Sequence, residues 1–326
     1  MKRTGPFLLL LLLGCLFLST ADSFVPSQSR AQDVQFAQDR VDAVQPVTID
    51  YKRVMKYLND VCKIGPRMSG TPGMKAQQKL LKEHFEQFGA KVELQNFQAR
   101  QESQDQAIPM TNMIVSWHPN SNRRIILCCH YDTRPIADQE PDPRNWRKPF
   151  LSANDGGSGV ALLMELAHHM KSLKTKVGVD FVFFDGEEFI FNPKRDRYFF
   201  GSQHFAKTWR NQRNRPQYLG AVLFDMIAGK GARFPAEGYS YYRSRALTVQ
   251  LWQIANKHRS LVFRQKIGEH VRDDHLALQA AGIPATDIID FSYPHWHRLS
   301  DTPENCSAES MDQVARVVTI WMQQVR

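Results

Sequence analysis

From Ile49 onward the chain alternates between two periodicities. Apolar residues recur at helical spacing over 51–64, where Val54, Met55, Leu58, Val61 and Cys62 share a face and Gly65-Pro66 follows as a stop. A second helix is expected from Thr71-Pro72-Gly73 to about Phe88, ended by Gly89. Short apolar runs then read as strands at 91–97, 113–117, 125–129, 179–184, 219–224, 261–265 and 284–289. Helical patterns lie between or after them at 159–169, 202–210, 246–258, 274–281 and 308–324. Continuous apolar strands alternating with helices imply strands covered on both faces. The expected architecture is a three-layer α/β/α sandwich with a mostly parallel mixed sheet. The stretch 131–152 is a long loop, a length that in compact domains usually signals function.

Composition narrows the class. The chain has 326 residues, 42% of them hydrophobic and 23% charged, which suits a globular protein with a large core. Lys and Arg number 42 against 33 Asp and Glu, but the excess is spread out. Short clusters such as Lys194-Arg195 and 210–215 do not form the concentrated stripe of a nucleic-acid binder, so no nucleic-acid partner is expected. Lys2 and Arg3 precede an apolar run over 7–18 and the small residues Ser19-Thr20-Ala21, the pattern of a signal peptide over 1–21. The run is short for a membrane span, so the mature chain is expected to be secreted or periplasmic. Leu12-Leu13-Gly14-Cys15 offers a lipid anchor at Cys15 as the lesser alternative. Residues 22–47 are polar and weakly periodic, and are read as an N-terminal arm. A single catalytic domain covers 48–326, without internal repeats, and is expected to be a monomer. Cys62, Cys128, Cys129 and Cys306 show neither a disulfide framework nor a CxxC pair, and are expected to be buried thiols.

In open α/β sheets, ligands bind beyond the carboxyl ends of the strands. The apolar strand over 125–127 runs into Cys128-Cys129-His130-Tyr131-Asp132, and Val182-Phe183-Phe184 into Asp185-Gly186-Glu187-Glu188. Val222-Leu223-Phe224 ends in Asp225, and the strand near Ile288 leads to Trp296-His297. Asp155 stands in Asn154-Asp155-Gly156-Gly157-Ser158-Gly159, directly before a helix. Each alone has a bland explanation: Asp155 as a helix cap, Glu187-Glu188 as a solvated turn, Asp273-Asp274-His275 as a charged helix start. Together they deliver carboxylates and imidazoles to one rim, where their mutual repulsion calls for a cation. Carboxylate and imidazole donors without thiolates suit zinc. Asp155, Glu188 and His297 form the expected ligand set. His130 and Asp225 are candidates for a second site that Asp155 would bridge. Consecutive side chains diverge, so Glu187 is left free as general base and acid.

These segments resemble the zinc aminopeptidase family and its relatives, the glutaminyl-peptide cyclotransferases, over roughly 49–326. The cyclotransferase side, especially its bacterial members, is the more similar at 130–135, at 225–240 and at Arg272-Asp273-Asp274-His275. The resemblance implies one zinc, with two possible, held by Asp155, Glu188 and His297. It further implies Glu187 as proton shuttle, Asp225 and Asp273 as a hydrogen-bonded acid network, and Trp296 as a substrate-pocket wall, with Tyr293 and Phe291 beside it. The implied reaction converts N-terminal glutamine of peptides to pyroglutamate with release of ammonia. The alternative is a di-zinc aminopeptidase that removes N-terminal residues. A tryptophan that vertebrate cyclotransferases place five residues after the ligand glutamate falls on Pro193 here, and 189–200 departs from their pattern.

Overall fold

The computed structural model describes residues 44–326. The signal peptide, the anchor at Cys15 and most of the arm lie outside the described residues. Residues 44–47 belong to the folded body instead of the arm: Val47 N donates to Thr319 Oγ1 at 3.1 Å, and Val44 and Val47 pack on the core.

Among the described residues, eight strands and eight α-helices follow in the order α1 (Tyr51–Lys63), α2 (Pro72–Gln87), β1 (Lys91–Ala99), β2 (Ile108–Trp117), β3 (Arg123–His130), α3 (Gly157–Ala167), β4 (Gly178–Phe184), α4 (Phe200–Asn211), β5 (Gln217–Asp225), β6 (Phe234–Ala236), α5 (Gly238–Arg243), α6 (Arg245–Lys257), β7 (Phe263–Ile267), α7 (His275–Ala281), β8 (Ala285–Ile289) and α8 (Ala308–Gln324). The main sheet has the order β1-β2-β4-β3-β5-β8. Strands β4, β3, β5 and β8 are mutually parallel, and β1-β2 is an antiparallel hairpin joined to β4. The expected sandwich is therefore what forms.

The two faces of the sheet follow from the period-two geometry of strands. Ile125, Leu127 and Cys129 of β3 join Phe181, Phe183 and Phe224 in the larger core cluster, with side chains from α1, α2, α3, α6 and α8. Ile126, Cys128, Val182, Phe184 and Leu223 face the other way, against Phe205 and Ala206 of α4 and Leu278 of α7. All four described cysteines are free and buried, as expected.

Two short elements, β6 and α5, escape the periodicity reading because three and six residues carry too few repeats. The strand expected at 261–265 begins two residues later, with Leu261 exposed. Among the described residues no helix is long and apolar enough to cross a membrane.

Candidate metal centre and substrate pocket

The parallel strands end on one edge of the sheet, and the loops leaving them bring the acidic and imidazole side chains together. His130 is the last residue of β3 and Asp225 the last of β5. Glu187 and Glu188 follow β4 through Gly186, whose φ of 73° is left-handed. A Cβ there would stand 2.6 Å from Met110 Sδ, so the turn requires glycine. Asp155 is not a cap: the N-cap of α3 is Gly156 at φ 77°, without a side-chain capping bond. The Asp155 carboxylate is thus free to face the site.

Two triads result. Donor atoms of Asp155, Glu188 and His297 lie within 4.8 Å of one another, as do those of His130, Asp155 and Asp225, with Asp155 common to both. His297 Nε2 stands 2.9 Å from Glu188 Oε1 and 3.6 Å from Asp155 Oδ2. Glu188 Oε1 also accepts from Arg134 Nη1 at 3.1 Å, whereas Glu188 Oε2 and Asp155 Oδ2 are buried without any hydrogen-bond partner. Buried carboxylate oxygens are costly in that state, and a cation between them and the imidazole removes the cost. The residues therefore fit a zinc ion with a position left for water or substrate.

The surrounding side chains hold these donors in place. Asp138 Oδ1 lies 2.9 Å from His297 Nδ1, the carboxylate–imidazole pairing that orients a metal-ligating histidine. Arg134 ties Asp138 to Glu188, donating to both Asp138 oxygens at 3.0 and 2.9 Å. Asp132 accepts the amides of Glu187 and Glu188 at 3.1 and 3.0 Å and so fixes the loop after β4. Asp301 accepts the amides of Asn154 and Asp155 at 2.9 and 3.1 Å. Of these residues, Asp132 was visible only as part of a motif, Arg134 and Asp138 stood in the long loop, and Asp301 carried no sequence signal.

The electrostatics favour a cation. Burial pushes the Asp155 carboxyl up, and the charge of Glu188 adds to this. Burial opposes ionisation of Glu188 too, but His297 and Arg134 outweigh it and hold that carboxyl at the bottom of the carboxylate range. For His297, burial disfavours the charged ring, yet Glu188 and Asp138 raise it to about 9. That pull toward positive charge is what a metal ion would meet in place of the proton. Glu187 is raised well above the ordinary glutamate value by burial and by Glu188, and Asp273 likewise by burial, Asp225 and Asp274.

A pocket of about 320 Å³ opens over these groups, and its lining includes Asp155, Glu187, Glu188, Asp225, Asp273 and His297. Its apolar walls are Trp296, Phe291, Tyr198 and Phe199. The Trp296 ring lies 4.0 Å from His297 and 5.0 Å from Phe291 between centroids. Tyr293, expected beside them, is instead buried behind the site, where its hydroxyl donates to Asp301 at 2.9 Å. Tyr198 and Phe199 come from the very segment that departs from the vertebrate pattern. No hydrogen bond joins Asp225 to Asp273 among the described residues: Asp273 Oδ1 accepts from the Asp274 amide, while Asp225 Oδ1 stands 3.3 Å from His130 Nε2. Asp225 acts on Asp273 through charge. Phe199, Met226 and His297 all adopt left-handed backbone, at φ 68°, 49° and 53°. Such conformations cost about 1–3 kcal/mol each and concentrate where a fold must present side chains to a site.

The chain is similar to several known proteins. Residues 112–322 match the model of peptidase family M28. The crystal structure of Fimbriiglobus ruber glutaminyl cyclase is 49% identical, covering 87% of this chain and 98% of that one, with a TM-score of 0.85. A leucine aminopeptidase precursor from Bacteroides thetaiotaomicron is 28% identical, with coverage of 87% and 100% and a TM-score of 0.80. Among sequences, the glutaminyl-peptide cyclotransferase of Gloydius blomhoffii is 25% identical over 78% of this chain and 76% of its own length.

Proposed function

The chain belongs to peptidase family M28, and from that premise we propose that it is a zinc-dependent glutaminyl-peptide cyclotransferase acting on peptide N-termini. The observation that carries this reading is the 49% identity to a glutaminyl cyclase over nearly all of that enzyme. Asp155, Glu188, Asp225, His297 and Glu187 line one pocket, with His130 beside Asp155 and Asp225, which supports the reading.

Asp155 Oδ2, Glu188 Oε2 and His297 Nε2 would hold the ion, with His297 braced by Asp138. Bound zinc supplies Lewis-acid polarisation of the glutamine side-chain carbonyl. Trp296 and Phe291 pack the substrate side chain, which bends so that the α-amine meets its own amide carbon. Glu187, whose carboxyl burial and the charge of Glu188 raise well above its ordinary value, takes a proton from the attacking amine. The new N–C bond closes the five-membered lactam, the old C–N bond breaks, and Glu187 returns the proton to the departing ammonia. Burial and the charges of Asp225 and Asp274 raise the Asp273 carboxyl well above its ordinary value where it lines the pocket. His130 Nε2 lies 3.1 Å from Asp155 Oδ1, while Asp155 Oδ2 has no hydrogen-bond partner and is the oxygen that would meet the metal.

The second triad, His130, Asp155 and Asp225, supports a second reading in which two zinc ions serve an aminopeptidase. A peptide beginning with glutamine separates the two by mass spectrometry. Loss of one ammonia with the chain otherwise intact supports cyclisation, and release of free glutamine overturns it. Elemental analysis gives about one zinc per chain for the first reading and two for the second. Export through the segment 1–21 and a monomeric state are part of the same proposal, checked by the mature N-terminus and by light scattering.

A further inference from the structure

A second cavity, of about 580 Å³, adjoins the substrate pocket and shares Val271, Ile289 and Phe291 with it. It is walled on its far side by β6, β7 and the segment before β6. Three cations line it: Arg233, Arg264 and Lys266, all exposed. None of their side chains makes an ion pair or hydrogen bond among the described residues. Gln265, between two of them, also lines the cavity and donates to Trp252 O at 3.1 Å.

The acids of the cavity make no ion pair with them among the described residues. Glu237 is buried, its oxygens taken by the amides of Tyr239, Ser240 and Val271. Asp290 is buried too, accepting from Arg233 N and from Ser292. Glu269 alone is an exposed carboxylate on this wall. The charges exposed on this wall are therefore three cations against one carboxylate, above an apolar floor that runs into the candidate active site.

We propose that this cavity is a subsite for the residues that follow the N-terminal glutamine, and that it selects carboxylates there. The inference rests on the cyclotransferase reading. A peptide whose first residue fills the pocket leaves along the shared wall of Val271 and Phe291, so its next residues meet Arg233, Arg264 and Lys266. Carboxylates reach that face either as Asp or Glu side chains or as the chain end of a very short peptide. Exposed pairs are worth little singly and are screened by salt, so two or three together should amount to a preference of about five-fold.

The test compares kcat/KM for Gln-Glu-Glu-Ala-amide, Gln-Ala-Ala-Ala-amide and Gln-Ala-Ala with a free carboxylate. The acidic-side-chain peptide or the free-acid peptide, or both, should exceed the neutral amide by about five-fold, mostly through KM, and the advantage should fade at high salt. Which of the two does so identifies the carboxylate that is read. The R264A/K266A double variant should lose the preference, leave the neutral peptide unchanged, and regain the preference as R264K/K266R. Equal values for all three peptides, or a preference that survives in R264A/K266A, would overturn the proposal. Fluorescence anisotropy with the same peptides labelled near their C-termini reads the affinity ratio without turnover. Failure to cyclise the neutral peptide therefore counts against the cyclotransferase reading, and an absent affinity ratio against the subsite.

Discussion

The contact between Asp138 and His297 makes the sharpest test of the metal centre. In Asp138→Asn the amide oxygen still accepts from His297 Nδ1, so ring orientation survives and the charge is lost. A charge-assisted hydrogen bond is roughly twice as strong as a neutral one, a difference of about 1–1.5 kcal/mol, or about ten-fold in zinc affinity. Arg134, now without the Asp138 carboxylate it met at 2.9 and 3.0 Å, turns its whole charge on Glu188 and weakens that ligand further. Asp138→Ala removes orientation as well, and should approach the hundred-fold end of the roughly 10–100-fold range seen for such outer partners. Competition with a chromophoric chelator measures the zinc Kd, and thermal melting of the metal-free proteins controls for folding. A zinc Kd within two-fold of wild type in Asp138→Ala, with intact melting, would refute the assignment of His297 as a ligand braced by Asp138.

Three further outcomes are expected. Glu187→Gln should lower kcat by about 10²–10⁴-fold with zinc content unchanged, and retained turnover with a glutamine peptide would remove Glu187 from the proton path. Gly156→Ala places a Cβ 2.7 Å from His130 Cε1 and 2.9 Å from Asp132 O at a left-handed position, so it should destabilise by more than about 2 kcal/mol in urea titration and loosen zinc. Burial would raise the Glu165 carboxyl, but His169, Arg53 and the Asp50 amide outweigh it and bring it from 4.5 to about 2. A depressed folded-state value stabilises above the unfolded value and is lost as pH falls. Glu165→Gln should therefore cost about 2 kcal/mol at neutral pH, and the gap to wild type should close between pH 4.5 and 2 in melting experiments.

Much of this protein was legible along the chain because strands and helices impose local periods of two and 3.6 residues. The apolar strands over 125–129, 179–184 and 219–224 announced a parallel sheet, and a parallel sheet places its useful residues at the carboxyl ends. His130, Glu187, Glu188 and Asp225 could be read there directly, and Asp155 and His297 through their motifs. The same logic could not reach residues whose role depends on distant partners. Asp301 becomes important by lying under the amides of Asn154 and Asp155, 146 and more positions away in sequence. Asp138 matters through a bond to His297 across the loop, and Tyr198 and Phe199 wall the pocket from a segment without periodicity. Tyr293, next to the right motif, turns inward, where its hydroxyl finds Asp301.

The ligand types and the strand ends that carry them are thus properties of the chain order, set by local geometry. Which oxygens stay unpaired, which carboxylate orients His297, and which cations flank the substrate pocket are properties of the packed molecule. They depend on contacts between residues far apart in sequence, and on the burial that makes an unpaired charge expensive enough to demand a partner.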